Sequence, residues 1–257
     1  MIYYLSKMTD RQRWSEIEHL PEWDEEFYDV YTAKKFGKWV MLKTLKPQYK
    51  DDPAMCAMLE KEFDTRYNLA HPNIIMINDL EDVPGVGISI ITDDVYGDSL
   101  RKLIRERKVT PTHIAKLRHQ LVDAMDYIQT NHLAHHPLRP ENIIFTENVG
   151  NLKLIDVGFE QRKALTPLDT SQDIYNYGLV IKEVLDSCDL EDPTLRRIAE
   201  RCLDPDPHHR YRDIEQLRMD LAGRRGNRLY IAIIGFLAAM ILLLLWLSSP
   251  WAPNHNF

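Results

Sequence analysis

The sequence of 257 residues predicts an α+β fold with two lobes, followed by one C-terminal transmembrane helix. The N-terminal third carries strand patterns and one helix, which predicts a small β-rich lobe. The remainder, up to residue 222, is mostly helical in pattern and predicts a larger helical lobe. An uncharged apolar run near the C-terminus predicts the membrane helix.

The small lobe is predicted from a hairpin, a helix and two further strands. Residues 27–46 alternate apolar and polar side chains around Gly37, a pattern typical of a hairpin. Asp52-Pro53 is a helix-start signal, and apolar residues at helical spacing extend the predicted helix over 53–69. The two further strands are expected around 74–80 and 86–92.

The large lobe is predicted to begin at Gly97-Asp98-Ser99, which suits a junction between the lobes. Apolar residues at helical spacing predict its helices. They lie over 99–107, 112–131, 172–187, 193–203 and 213–222. One pair of strands, Ile143 to Phe145 and Leu152 to Ile155, is expected around a turn at 148–151.

The composition argues against some classes of function. A net charge of −7 gives no sign of nucleic-acid binding, so no nucleic-acid partner is expected. Cys56, Cys188 and Cys202 are widely spaced and match no zinc or redox spacing. They fit a reducing compartment.

The apolar run over 229–248 is long enough to cross a bilayer as a helix. A buried core helix is the alternative, which the absence of a polar face disfavours. A basic linker over 223–228 precedes the run, and the short tail over 249–257 contains no Lys or Arg. The positive-inside rule therefore places residues 1–228 in the cytoplasm. Gly235 and Ala239 are four residues apart and could let two such helices dimerise, or could merely face lipid.

The clearest chemical signal is the stretch His135-His136-Pro137-Leu138-Arg139-Pro140-Glu141-Asn142. It resembles the catalytic loop of protein kinases, H-R-D-L-x-x-x-N, in which Asp accepts the proton of the substrate hydroxyl and Asn holds a metal ion. Here Pro137 stands at the Asp position, and a proline side chain has no proton acceptor. The stretch predicts a kinase fold without its catalytic base.

Further landmarks resemble those of bacterial-type Ser/Thr kinases and follow in the same order. They are Val40 to Lys43, Glu62 ahead of His71-Pro72-Asn73, the hinge Asp93 to Gly97, Asp156-Val157-Gly158, Asp173 to Gly178, and Cys202 to Arg210. The resemblance implies a kinase-like small lobe over 25–96, after an N-terminal segment over 1–24, and a large lobe over 97–222. With the apolar run, it predicts a single-pass protein of the bacterial inner membrane.

The resemblance also implies a nucleotide site, vestigial or weak, between the lobes. Its expected residues are Lys43, Glu62, Asp93, Val95, Arg139, Asn142 and Asp156. Lys43 and Glu62 are expected to form an ion pair, unless Lys43 simply extends into water. Asn142 and Asp156 could hold magnesium or could serve only in turns, so ATP and magnesium stay open as ligands.

Two departures from the family pattern weaken catalysis further. Trp23, Glu25 and Tyr28 stand where the family has the three glycines that let backbone N–H groups approach phosphates. The activation segment is shortened and contains no A-P-E sequence. Arg210 thereby loses its usual glutamate partner, and the sequence does not identify another.

Two smaller features concern Arg66 and a group of three histidines. Arg66 lies one turn after Glu62 and is expected to compete with Lys43 for it, contributing about 0.3–0.5 kcal/mol as an exposed pair. His132, His135 and His136 invite a zinc interpretation. A structural role is favoured, because no cysteine or fourth ligand is nearby in the sequence.

Three functions are compatible with these residues. The favoured one is a membrane-anchored cytoplasmic pseudokinase that binds or scaffolds an unidentified protein partner in signalling. An atypical active Ser/Thr kinase is the first alternative, because phosphoryl transfer depends mainly on positioning and charge neutralisation. A switch that senses ATP without transferring phosphate is the second.

Overall fold

The two predicted lobes are both present in the computed structural model, which describes residues 13–135, 138–147, 150–155, 159–161, 163–188, 191–223 and 225–247. A five-stranded sheet and helix α1 form the small lobe. These elements are β1 (Trp14–His19), β2 (Tyr28–Lys35), β3 (Lys38–Leu45), α1 (Pro53–Arg66), β4 (Ile77–Val83) and β5 (Gly87–Asp93).

The small-lobe sheet is antiparallel, in the order β1-β2-β3-β5-β4. Strand β1 was not predicted, so the sheet begins well before the predicted boundary at residue 25. The reason is its pattern: only Trp14 is buried in β1, and the alternation of apolar and polar residues that marks a half-buried strand is missing.

The predicted hairpin and helix start are confirmed. Phe36 (φ 51°) and Gly37 (φ 82°) turn the chain between β2 and β3, in a backbone region that glycine adopts without steric strain. Helix α1 begins at Pro53, and the Asp52 side chain caps it by accepting a hydrogen bond from the backbone N–H of Ala54 at 2.8 Å.

The large lobe is built from helices around the largest apolar core of the described residues. They are α2 (Leu100–Arg105), α3 (Pro111–Thr130), α4 (Pro167–Ser187), α5 (Pro193–Cys202) and α6 (Ile214–Ala222). All five were predicted, but α4 begins at Pro167 rather than near residue 172. Helices α4 and α5 pack closely at Gly178, where an added Cβ atom would lie only 2.6 Å from Cys202 Cβ.

Two small sheets lie in the large lobe. Strands β6 (Gly97–Ser99), β8 (Ile143–Thr146) and β9 (Leu152–Leu154) form one, and β7 (Leu133–His135) pairs with β10 (Phe159–Gln161) in the other. The predicted pairing of β8 with β9 is confirmed. The chain passes between the lobes directly against β8. The approach is close at Gly97, where an added Cβ atom would lie 2.1 Å from the carbonyl oxygen of Phe145.

The last described helix is α7 (Arg225–Leu247), which begins inside the predicted basic linker. Within the described part of the chain, no helix combines the length and the apolar character that crossing a membrane requires. The prediction of a transmembrane helix over 229–248 is therefore not supported by the structure. The tail over 249–257 lies outside the described residues.

Candidate functional site in the cleft between the lobes

Lys43 of β3 is the centre of the charged half of the cleft. Its ammonium nitrogen Nζ lies 2.7 Å from Glu25 Oε2 and 3.2 Å from Glu62 Oε1. The same nitrogen lies 4.3 Å from the centre of the Tyr28 ring, a cation–π contact. The Lys43 side chain is 14% exposed, so water and salt screen these contacts weakly. The structure thus contains the expected Lys43–Glu62 ion pair.

Glu62 is shared between two cations. Arg66 Nη1 donates to Glu62 Oε1 at 2.6 Å, and Arg66 Nη2 donates to the carbonyl oxygen of Ile155 at 3.4 Å. Burial alone would raise the pKa of Glu62, but Lys43 and Arg66 outweigh it and hold the pKa below its ordinary value. The expected Glu62–Arg66 pair is present, whereas its expected exposure was wrong, because Arg66 is 4% exposed.

The other half of the cleft is apolar and is covered by Trp23. This half-buried side chain packs against a cluster of Ile75, Val95 and Ile144, which Ile155 also contacts. Val95 belongs to the hinge segment between the lobes, and Ile144 lies on β8 of the large lobe. Trp23 therefore packs on apolar side chains of the hinge and of both lobes.

The β1–β2 loop, residues 20–27, carries both Trp23 and Glu25 and is held by its own backbone. A 3₁₀ turn over Pro21–Trp23 is closed by Trp23 N, which donates to the carbonyl oxygen of Leu20 at 2.9 Å. Glu25 N donates to the carbonyl oxygen of Tyr28 at 3.0 Å. These bonds fix the backbone on both sides of the two side chains that enter the cleft.

Asp24, between Trp23 and Glu25, ties the loop to the sheet. Its Oδ1 accepts a hydrogen bond from Val30 N at 3.0 Å and lies 3.0 Å from His19 Nε2. His19, Asp24 and Asp29 are also the grouping among the described residues that could bind a metal ion. They lie at the end of β1, on the loop and at the start of β2 rather than at the predicted magnesium position, and Asp24 Oδ1 already accepts the hydrogen bond from Val30 N.

The predicted hinge residues have structural contacts. Asp93 Oδ1 accepts hydrogen bonds from Lys38 Nζ at 2.9 Å and Asn78 Nδ2 at 3.1 Å. Burial alone would raise the pKa of Asp93, but these two hydrogen bonds outweigh it and lower the pKa. Asp93 is thus bound to β3 and β4, whereas Val95 lies in the apolar cluster under Trp23.

The predicted metal ligands are described only in part. Asn142 closes a 3₁₀ turn, and its carbonyl oxygen accepts from Ile155 N at 3.0 Å, so it lies beside the residue that precedes Asp156. Asp156 and Pro137 lie outside the described residues, as does the side chain of His135. An amide oxygen and a carboxylate suit Mg²⁺ by type. Arg139 is exposed immediately before the turn.

The connection that follows the cleft is short. Strand β10 ends at Gln161 and α4 begins at Pro167, which leaves residues 162–166 between them. Thr166 and Asp169 form a capping box: Thr166 N donates to Asp169 Oδ2 at 2.8 Å, and Asp169 N donates to Thr166 Oγ1 at 3.3 Å. This box fixes the start of α4 and leaves little chain for a platform that binds a peptide.

Arg210 lacks the glutamate that pairs with this arginine in the family. It contacts backbone carbonyl oxygens and side chains of α4 instead. Its Nε donates to the carbonyl oxygen of Asp204 at 2.8 Å, and Nη1 lies 3.3 Å from Ser171 Oγ. Its guanidinium lies 4.6 Å from the centre of the Tyr175 ring. Carbonyl oxygens and an aromatic face thus replace a carboxylate.

From the sequence, Trp23 and Glu25 were predicted to lie in the phosphate loop, where they were expected only to keep the backbone away from phosphates. The structure shows that both side chains contact the predicted nucleotide site itself. The available signal was the pairing of an acid at the second glycine position with a lysine on the neighbouring hairpin strand.

Comparisons with known proteins agree with this architecture. The family described as protein kinase domain matches residues 26–172, more than half of the chain. The Ser/Thr kinase PknD of Mycobacterium tuberculosis is 30% identical over 155 residues, which cover 58% of this chain and 23% of that protein. The probable Ser/Thr kinase SCO3848 of Streptomyces coelicolor is 25% identical over 251 residues, which cover 75% of this chain and 37% of that protein.

Solved structures show the same fold. The kinase domain of Mycobacterium tuberculosis PknI superposes with a TM-score of 0.60 at 20% identity. The superposition covers 82% of this chain and 95% of that one. The chain therefore spans nearly all of a solved kinase domain but well under half the length of the two curated relatives.

Proposed function

This chain belongs to the protein kinase domain family, among its bacterial Ser/Thr kinase relatives, and we propose that it acts as a pseudokinase. In this role it is a binding or scaffold module in signalling that does not transfer phosphate. The observation that carries the proposal is the connection of residues 162–166, since a working kinase uses a much longer stretch to bind its substrate. Proline at position 137 removes the base that would activate the acceptor hydroxyl.

The charge at Lys43 supports the same proposal. In the family this lysine pairs with the nucleotide phosphates, and here Glu25 Oε2 lies 2.7 Å from it. A phosphate oxygen held about 4 Å from that carboxylate would be repelled by about 4 kcal/mol at an effective dielectric constant near 20. Such a repulsion weakens binding on the order of a thousandfold.

A phosphate-transfer assay tests the proposal. The full chain is incubated with γ-labelled ATP, magnesium and a general protein acceptor, beside an Asp156→Ala variant that lacks the predicted metal ligand. We expect equal, background labelling in both. Labelling of any protein that disappears in Asp156→Ala would overturn the proposal and favour the atypical active kinase, for which the Lys43–Glu62 pair at 3.2 Å is the supporting observation.

Attachment to a membrane through α7 is a second part of the proposal. Its support is a set of exposed large apolar side chains along that helix. They are Ile231, Ile233, Ile234, Phe236, Leu237, Met240, Ile241, Leu242, Leu244 and Leu245. Soluble monomers rarely expose so continuous an apolar surface, so lipid or a partner helix is expected to cover it. Nothing lies within 4 Å of a Cβ atom built at Gly235, which leaves room for a second copy of the helix.

Membrane fractionation tests the attachment. The full chain is expected in the membrane pellet, whereas a chain that ends at Gly223 is expected in the supernatant. Recovery of both chains in the supernatant would contradict attachment through α7.

A further inference from the structure

We propose that the β1–β2 loop is an internal ligand of the cleft, in which Trp23 occupies the apolar half and Glu25 the cationic half of the nucleotide site. This inference rests on the proposed function and specifies how the site of that pseudokinase is kept closed. The two side chains are separated by one residue, and they contact the two halves with the chemistry that each half favours.

In the apolar half, Trp23 takes the place of a planar ligand. Its indole packs against the cluster of Ile75, Val95 and Ile144. These side chains come from the small lobe, the hinge and β8, so Trp23 packs against a cluster that both lobes supply. A planar heterocycle such as a purine has the size and the apolar faces of an indole and would compete for the same surface.

In the cationic half, Glu25 supplies one of the two carboxylates that the described residues place beside Lys43. Lys43 and Arg66 supply two positive charges, and Glu62 and Glu25 supply two negative ones. Losing the Glu25 carboxylate removes a negative charge 2.7 Å from Lys43 Nζ in a largely buried place. The site would then repel an anionic ligand less, so phosphate binding beside Lys43 would become more favourable.

The loop is built to hold both side chains in the cleft at once. The backbone bonds at Leu20 and Tyr28 fix its two ends, and Asp24 Oδ1 fixes its middle to Val30 N at 3.0 Å. Because Trp23 and Glu25 flank this anchored residue, they are positioned as one unit. An incoming nucleotide must displace the whole loop or leave the cleft closed.

The two halves can be tested separately with two ligands. Adenosine carries the planar base without phosphates, whereas ATP with magnesium carries both. Trp23→Ala removes the indole and is expected to strengthen the binding of both ligands. Glu25→Gln keeps the size of the side chain, removes its charge, and is expected to strengthen ATP binding at least about tenfold with little effect on adenosine.

Thermal-shift titrations of the full chain measure these affinities, since a ligand that binds the native state raises the melting temperature by mass action. Glu26→Gln is the matched control, because it removes an exposed carboxylate from the same loop and keeps the carbonyl oxygen that accepts from Lys46 Nζ at 3.2 Å. We expect Glu26→Gln to bind like the wild type. Adding Lys43→Ala to Glu25→Gln is expected to abolish the gain in ATP affinity.

Two results would overturn the inference. One is equal ATP affinity in the wild type, Trp23→Ala and Glu25→Gln. The other is a Glu25→Gln gain that is as large for adenosine as for ATP. If Trp23→Ala fails to fold, the inference is decided by Glu25→Gln alone, from its effect on ATP affinity compared with its effect on adenosine affinity. Either failure leaves the pseudokinase proposal standing, because that proposal is decided by phosphate transfer and not by nucleotide affinity.

Discussion

Two ion pairs with the same spacing show how burial sets the role of a charged residue in this protein. Arg66 Nη1 and Lys102 Nζ each lie 2.6 Å from a carboxylate four residues earlier in the chain, Glu62 and Asp98 respectively. The Arg66 and Glu62 side chains are 4% and 14% exposed, whereas those of Lys102 and Asp98 are 46% and 39% exposed. Removing Arg66 takes away a buried hydrogen bond to a carboxylate and leaves Glu62 with Lys43, whereas removing Lys102 leaves a hydrated Asp98.

We therefore expect Arg66→Met to lower the free energy of unfolding by about 2 kcal/mol. Lys102→Met, the matched control, is expected to change it far less, because that ion pair is exposed to water. Urea unfolding of the full chain measures both. Equal losses in the two variants would show that the buried Arg66 is no more important than a surface cation.

The lowered pKa of Glu62 gives a second expectation at this scale. A carboxylate whose pKa is lower in the folded state stabilises the fold above its unfolded pKa and loses that contribution as pH falls. The difference in unfolding free energy between the wild type and Glu62→Gln should therefore be largest above about pH 5 and narrow as pH falls through about 4. A difference that stays constant across that range would contradict the role of the ionised carboxylate.

Motif order predicted Lys43 and Glu62 because both lie on regular elements, where register fixes the direction of a side chain. Trp23 and Glu25 lie on a loop, where direction depends on turns that no periodicity encodes. The bonds from Trp23 N to Leu20 and from Glu25 N to Tyr28 turn these side chains inward. That is why the sequence located both residues correctly yet missed the contact between Glu25 and Lys43.

At the scale of elements, helices and strands with a regular apolar pattern were predicted, whereas elements that lack such a pattern were missed. Helices with long apolar periodicity were predicted, as were β2 and β3. Strands β7 and β10 have three residues each, too few for alternation to be read. The early start of α4 was also missed, because it depends on a cap at Thr166 rather than on apolar spacing.

That cap is expected to set the stability of α4. Thr166→Ala removes the oxygen that accepts from Asp169 N at 3.3 Å and should lower the unfolding free energy by about 1 kcal/mol. Thr166→Ser keeps the oxygen and is expected to stay close to the wild type. Thermal unfolding of the three chains measures this, and equal losses for Ala and Ser would show that the hydroxyl is not the cause.

At the scale of the whole molecule, the departures from an active kinase lie in separate parts of the fold. The loop with Trp23 and Glu25 belongs to the small lobe, Pro137 to the catalytic stretch, and residues 162–166 to the connection into α4. Each affects a different requirement of phosphate transfer: nucleotide binding, activation of the acceptor, and docking of the substrate. Because the requirements are separate, the pseudokinase proposal predicts that repairing one leaves the other two unmet.

Stepwise repair of these three parts is the corresponding test. Pro137→Asp alone is expected to transfer no phosphate to a protein acceptor, because the loop still closes the cleft. Combined with Trp23→Ala and Glu25→Gln, it is expected to bind ATP yet still label the acceptor no more than the same chain carrying Asp156→Ala. The remaining barrier is the short connection, which these three substitutions do not lengthen. Labelling of the acceptor by the combined variant above that control would show that residues 162–166 suffice for substrate docking, and the observation that carries the pseudokinase proposal would then fail.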